Sequence, residues 1–168
     1  MLKEALEILA TTPEKLRREV RQIPLRQIKA RPAESKWSVQ EILAHLDDVE
    51  ENGMRSRVDA IVNEETPFLP LFDQEKRVIE LHYNRVDPYR SLESLSRQRR
   101  ANVRWLRTLR PGQLKRKGVH HQVGEMTAEE YIYEWAFHDL GHLKQILEVR
   151  RYALYPLIGN MKAYYHLA

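Results

Sequence analysis

The chain has 168 residues, 42% hydrophobic and 31% charged, which is the size and balance of one globular domain. Cysteine is absent, which excludes disulfides, thiolate nucleophiles and cysteine-ligated zinc or iron–sulfur clusters, and six scattered glycines form no phosphate-cradling loop. A net charge of +4 names no acidic partner by itself, no run approaches the ~18 apolar residues of a membrane helix, and Met1-Leu2-Lys3-Glu4 is unlike a secretory leader, so the expected location is the cytoplasm.

Thr12-Pro13-Glu14 has the form of an N-cap followed by proline at the first helical position, and Leu16, Val20 and Ile23 share one face beyond it, which predicts a first helix over about 13–22. Ser38-Val39-Gln40-Glu41 is a capping box preceded by Trp37, and Ile42, Leu46, Val49, Val58, Ile61 and Val62 continue at helical spacing, which predicts a second helix over about 38–63. Residues 64–72 hold two prolines among bulky apolar side chains and read as an ordered crossover that packs against the body. A shorter helix is expected near 73–84. Asp87-Pro88 then opens a third long helix carrying Leu92, Leu95, Val103, Leu106 and Leu109 until Pro111-Gly112. Thr127-Ala128-Glu129-Glu130 is a second capping box and opens the fourth, with Ile132, Trp135, Leu143, Ile146 and Val149. No run alternates long enough to predict a strand. The expectation is a single all-α domain over 1–168, a four-helix bundle with a long crossover connection between helices two and three.

His138-Asp139-Leu140-Gly141-His142 places two imidazoles one turn apart on one helical face, a spacing that suits divalent transition metals. Two histidines lining a core would show the same spacing. His45 lies within the apolar stripe of helix two, where an imidazole needs a partner, and with the helix-four pair it could close three corners of a metal site in the bundle core. Three neutral ligands leave positions open for water or substrate. His121 is a candidate fourth ligand, while His120, His82 and His166 have no ligand pattern around them. Glu134 and Asp48 are spaced to accept the other ring N–H of His138 and His45.

Residues 94–124 contain nine Lys or Arg and no acid, with Arg97, Arg100, Arg104 and Arg107 at near-helical spacing beside Trp105. Such a stripe reads either as a solvated basic face or as a surface that attracts phosphate, near the mouth of the site or along a nucleic acid. Tyr152, Tyr155, Tyr164 and Tyr165 near the C-terminus could form an interface or fold back as a lid.

Two segments together resemble the DinB/YfiT-like superfamily: Lys36-Trp37-Ser38-Val39-Gln40-Glu41-Ile42-Leu43-Ala44-His45-Leu46, and Gly124-Glu125-Met126-Thr127 followed by His138-Asp139-Leu140-Gly141-His142-Leu143-Lys144-Gln145-Ile146. The likeness spans about residues 5–150 and leaves 151–168 as a C-terminal extension. It implies a metal-binding four-helix bundle, often homodimeric, with a divalent ion such as zinc or nickel on His45, His138 and His142. It also implies thiol-dependent S-transferase or isomerase chemistry on a small-molecule substrate with a low-molecular-weight thiol, while a metal-bound hydroxide at the same centre would equally serve hydrolysis. A dimeric bundle stabilised by metal without catalysis is the alternative, and nucleic-acid binding through 94–124 is a weaker one.

Overall fold

The structure, a computed structural model, describes residues 1–166, so the last two residues of the 151–168 extension lie outside it. Its first helix, α1 (Leu2–Val20), begins eleven residues before the expected start, because Ala5, Leu9, Leu16 and Val20 carry one buried face straight through Pro13. Proline in a helix interior leaves the carbonyl four residues earlier without an intrahelical donor. Here the buried guanidinium of Arg99 donates to the Leu9 carbonyl from Nη1 at 3.0 Å, so the orphaned acceptor is satisfied from elsewhere in the bundle. Thr12 does not cap; its hydroxyl donates to the Ile8 carbonyl at 2.8 Å. A short α2 (Leu25–Lys29) follows and buries Ile28.

The second capped segment starts where the sequence places it. Ser38 Oγ accepts from the Glu41 backbone at 3.2 Å and Glu41 Oε2 accepts from the Ser38 backbone at 2.8 Å. The expected 38–63 helix is three pieces: α3 (Val39–Val49), a π-helical turn (Glu50–Arg55) and α4 (Ser56–Asn63). The wide turn inserts Glu50 into the core, where it is fully buried. Gly53 belongs to this turn because a Cβ there would stand 2.5 Å from Val49 Cγ2 and 3.4 Å from Phe72, which leans in from the crossover.

The crossover is ordered and packed, as expected, through buried Pro67 and Leu69. It also forms β1 (Phe68–Leu69), which pairs in parallel with β2 (Lys117–His120); β2 pairs antiparallel with β3 (Gly124–Thr127). These strands were not expected, because two to four residues are too few to show a period-two pattern. Between them run α5 (Gln74–Glu80), a 3-10 turn (Tyr83–Arg85), α6 (Pro88–Leu106) capped by Asp87, and α7 (Pro111–Leu114). The last long helix, α8 (Ala128–Leu154), opens on the Thr127–Glu130 capping box.

The bundle is α1, α3 with α4, α6 and α8, joined by the long crossover between its second and third members. Helix α1 packs on α8 and α6, and α3 on α6 and less extensively on α8. A buried ionic network ties all four together. Arg99 donates to Glu50 at 2.7 and 2.8 Å and to Asp139 at 2.5 and 3.1 Å, while Trp135 Nε1 and Asn102 Nδ2 also donate to Glu50. After α8 the chain makes two 3-10 turns in which no residue is buried, so Tyr164 and Tyr165 do not form a lid over the core.

Candidate metal centre

Two pieces of local structure set the centre. The capping box starts α3 seven residues before His45, which therefore sits at the end of the second helical turn on the buried side, 1% exposed. On α8 the i and i+4 spacing stacks His138 and His142 on the side facing α3. His45 Nε2 lies 3.2 Å from His138 Nε2, and His142 Nε2 lies 3.1 Å from that same atom. The ligand atoms of all three histidines lie within 4.8 Å of one another. Metal–nitrogen bonds of about 2.0–2.1 Å separate neighbouring ligands by roughly 3.0–3.4 Å, so the two short edges suit a shared ion without rearrangement.

Burial, together with the neighbouring imidazoles, pushes His45 down to about 2. Burial, His142 and the Arg99 charge take His138 down to about 3. Burial also lowers His142, against the opposing pull of Gln145 and Asp139. All three rings are therefore neutral at pH 7, the state in which imidazole ligates a metal. His142 Nδ1 pairs with Gln145 Oε1 at 2.8 Å, which as a donation from the ring leaves Nε2 with its lone pair toward the centre. His45 stands against the rings of Trp37, Phe72 and Tyr83, at centroid separations of 5.1, 6.0 and 6.4 Å.

The outer partners expected from spacing are not the ones observed. Asp48 does not reach His45: it accepts from Arg77 at 2.5 and 2.6 Å, from Tyr83 Oη at 2.5 Å and from Asn52 at 2.9 Å, which pins the crossover to α3. Glu134 does not reach His138 either, since Nδ1 of His138 and Nδ1 of His45 are both buried without a hydrogen-bond partner. Burial raises the Glu134 carboxyl to about 6 against the opposing charge of Arg57, and its Oε2 is buried and unpartnered. His121 is not in the convergent group. Its two ring nitrogens are buried without partners and its ring lies tilted against that of His120, centroids 4.3 Å apart. His82 and His166 are exposed.

The basic stripe is solvent-facing at Arg97, Arg100, Arg104 and Arg107, on the helix that packs against α1 and α3. Trp105 is half-buried, with the Arg55 guanidinium 3.4 Å from its ring centroid. Sequence reasoning missed the Arg99–Glu50–Asp139 network beneath that stripe. Its signal was present: Arg99 falls in the apolar register of Leu92, Leu95, Val103 and Leu106, where an unpaired charge could not be buried.

The sequence profile of the DinB superfamily matches residues 8–146. No curated protein matches the chain. Among solved structures the chain is similar to YfiT from Bacillus subtilis, described as a probable metal-dependent hydrolase with an unusual four-helix bundle topology. The two share 25% sequence identity and a TM-score of 0.83, over 89% of this chain and 86% of that chain.

Proposed function

The chain belongs to the DinB superfamily, and from that premise we propose that it is a metal-dependent hydrolase that acts on a small-molecule substrate at a divalent ion held by His45, His138 and His142. The observation that carries this reading is the convergence of three neutral imidazoles from two helices, His45 and His142 buried and His138 half-buried, with edges of 3.1 and 3.2 Å. An all-imidazole donor set suits zinc, nickel, copper or iron(II), and zinc or nickel is the ion of this reading. When bound, the ion supplies Lewis acidity that acidifies a coordinated water or thiol.

The chain's own groups supply the rest. Trp37, Phe72 and Tyr83 wall His45 off from water, and Gln145 fixes the tautomer of His142. Glu134, one helical turn before His138, has a free carboxylate oxygen and a pKa near 6, which suits a group that takes up a proton at neutral pH. In this reading the protein acts in the cytoplasm and pairs with a second copy of itself. Transfer to a low-molecular-weight thiol is the second chemistry open to the same centre.

Elemental analysis of protein purified without an affinity tag tests the centre. About one zinc or nickel per chain is expected, lost in the His138→Ala, His142→Ala double variant. Unchanged content in that variant, or no uptake by either protein on reconstitution, rejects it. Screening the loaded protein on esters and amides, with and without added thiol, then separates hydrolysis from thiol transfer.

A further inference from the structure

The histidine cluster lies between α3 and α8. Between α1 and α6, a different pair of bundle helices, runs a second cavity of about 370 Å³ that the proposed chemistry does not use. That volume suits a small molecule. Its lining combines apolar Ala10, Pro13 and Val103 with Ser96 and several arginines, among them the buried Arg99. At one end Arg17 is held by Glu14 at 2.8 Å and by the Ser96 hydroxyl at 3.3 Å. At the other end Arg107 is held by Glu7 at 3.2 Å.

Between these closed ends stand Arg100 and Arg104. Both are exposed, and among the described residues neither side chain makes a hydrogen bond or an ion pair. They are four residues apart on one helix, so two like charges face each other across a single turn, an arrangement that destabilises a helix unless an anion lies between them. The guanidinium fork is suited to planar, two-point recognition of phosphate and carboxylate.

We propose that the α1/α6 groove is a binding site for a small organic anion. A phosphate or carboxylate group would sit between Arg100 and Arg104, with an apolar body against Pro13 and Val103. The two end pairs limit the occupant's length. An extended polyanion following α6 would meet the carboxylate of Glu14, which lines the groove from α1, and that of Glu7, which pairs with Arg107 at its end, whereas a compact anion meets the two unpaired arginines.

The test is calorimetric titration of the full chain at fixed ionic strength with phenyl phosphate, inorganic phosphate and benzoate. The first against the second reads the apolar contacts with Pro13 and Val103, and the first against the third reads phosphate against carboxylate. Saturable binding of one equivalent is expected, tighter for the aromatic anion than for inorganic phosphate. It should weaken by at least about tenfold in Arg100→Gln, Arg104→Gln, the scale of losing a charge-assisted contact.

The variant Arg26→Gln, Arg85→Gln, which removes the same charge from exposed positions elsewhere, should bind as the natural chain does, and so should the His138→Ala, His142→Ala variant. Absence of saturable binding, or an equal loss in the Arg26, Arg85 control, overturns the site. A single-stranded oligonucleotide that binds more tightly than phenyl phosphate and is lost in the Arg100, Arg104 variant would replace the small anion with a nucleic-acid surface. Thermal melting of each variant shows that the fold is kept, because all four substituted arginines are exposed.

Discussion

At the residue scale, the centre depends on imidazoles that stay neutral. An imidazole in the unfolded chain titrates near 6.5, while burial takes His45 to about 2 and His138 to about 3. Below pH 6.5 the unfolded chain therefore binds protons that the metal-free fold refuses. Stability from these groups is full above pH 6.5 and is lost as pH falls toward the folded values, by up to about 1.4 kcal/mol per pH unit for each ring. Urea unfolding of metal-free protein between pH 7 and 4 should show this decline, and a His45→Gln, His138→Gln variant should show a shallower one; parallel profiles would refute it. Glu134 is read by rate instead. In the loaded protein Glu134→Gln should keep its metal and lose roughly 10²–10⁴-fold in turnover, together with the acidic limb near pH 6 of the natural profile; a variant of natural activity removes Glu134 from the chemistry. The three histidines could be read from the sequence because helical spacing and a capping box fix where their side chains lie. The partners of Asp48 could not, since Arg77 and Tyr83 reach it only through the conformation of the crossover.

At the scale of elements, helix ends marked by capping boxes were legible and helix interiors were not. Thr127 and Ser38 cap where their side chains imply. Thr12-Pro13 carries a different start signal, an N-cap candidate before proline with no capping box, and lies inside α1, because a tertiary donor, Arg99, satisfies the carbonyl that Pro13 leaves open. The π turn at Glu50–Arg55 was hidden for a related reason: it preserves the apolar periodicity on both sides, and only the burial of Glu50 against Arg99 gives it away. Removing Arg99 should therefore unsettle more than one helix. Arg99→Met leaves Glu50 and Asp139 buried without their cation and the Leu9 carbonyl without its donor, a class of change that costs about 3–5 kcal/mol. Chemical denaturation should show that loss of stability. A change below about 1 kcal/mol would mean that the network is replaced without cost by other contacts.

At the scale of the whole molecule, the bundle and its long crossover were legible because four long apolar stripes leave few ways to pack, and the small sheet was not, because it arises only when the crossover meets the 117–127 hairpin. One apolar stripe remains unused within the chain. On the outer face of α8, Phe137 is 78% exposed, Leu140 44%, Leu147 45% and Leu154 57%. Together with Lys144 and Arg151 they follow the three-four spacing of a coiled-coil seam, which is satisfied when two copies of such a helix pack together. Gly141 lies beside the seam with nothing within 4 Å of a Cβ, so it leaves room for a close approach. A patch of this kind on a single chain marks an interaction surface, and a second copy presents the matching stripe by symmetry. Sedimentation equilibrium should therefore give about twice the 20.0 kDa chain mass, falling to the chain mass in Leu147→Glu, Leu154→Glu with the metal content unchanged. A natural chain that sediments as a monomer would leave the stripe without this partner, whereas a dimer that survives both glutamates would place the interface on another face of the bundle.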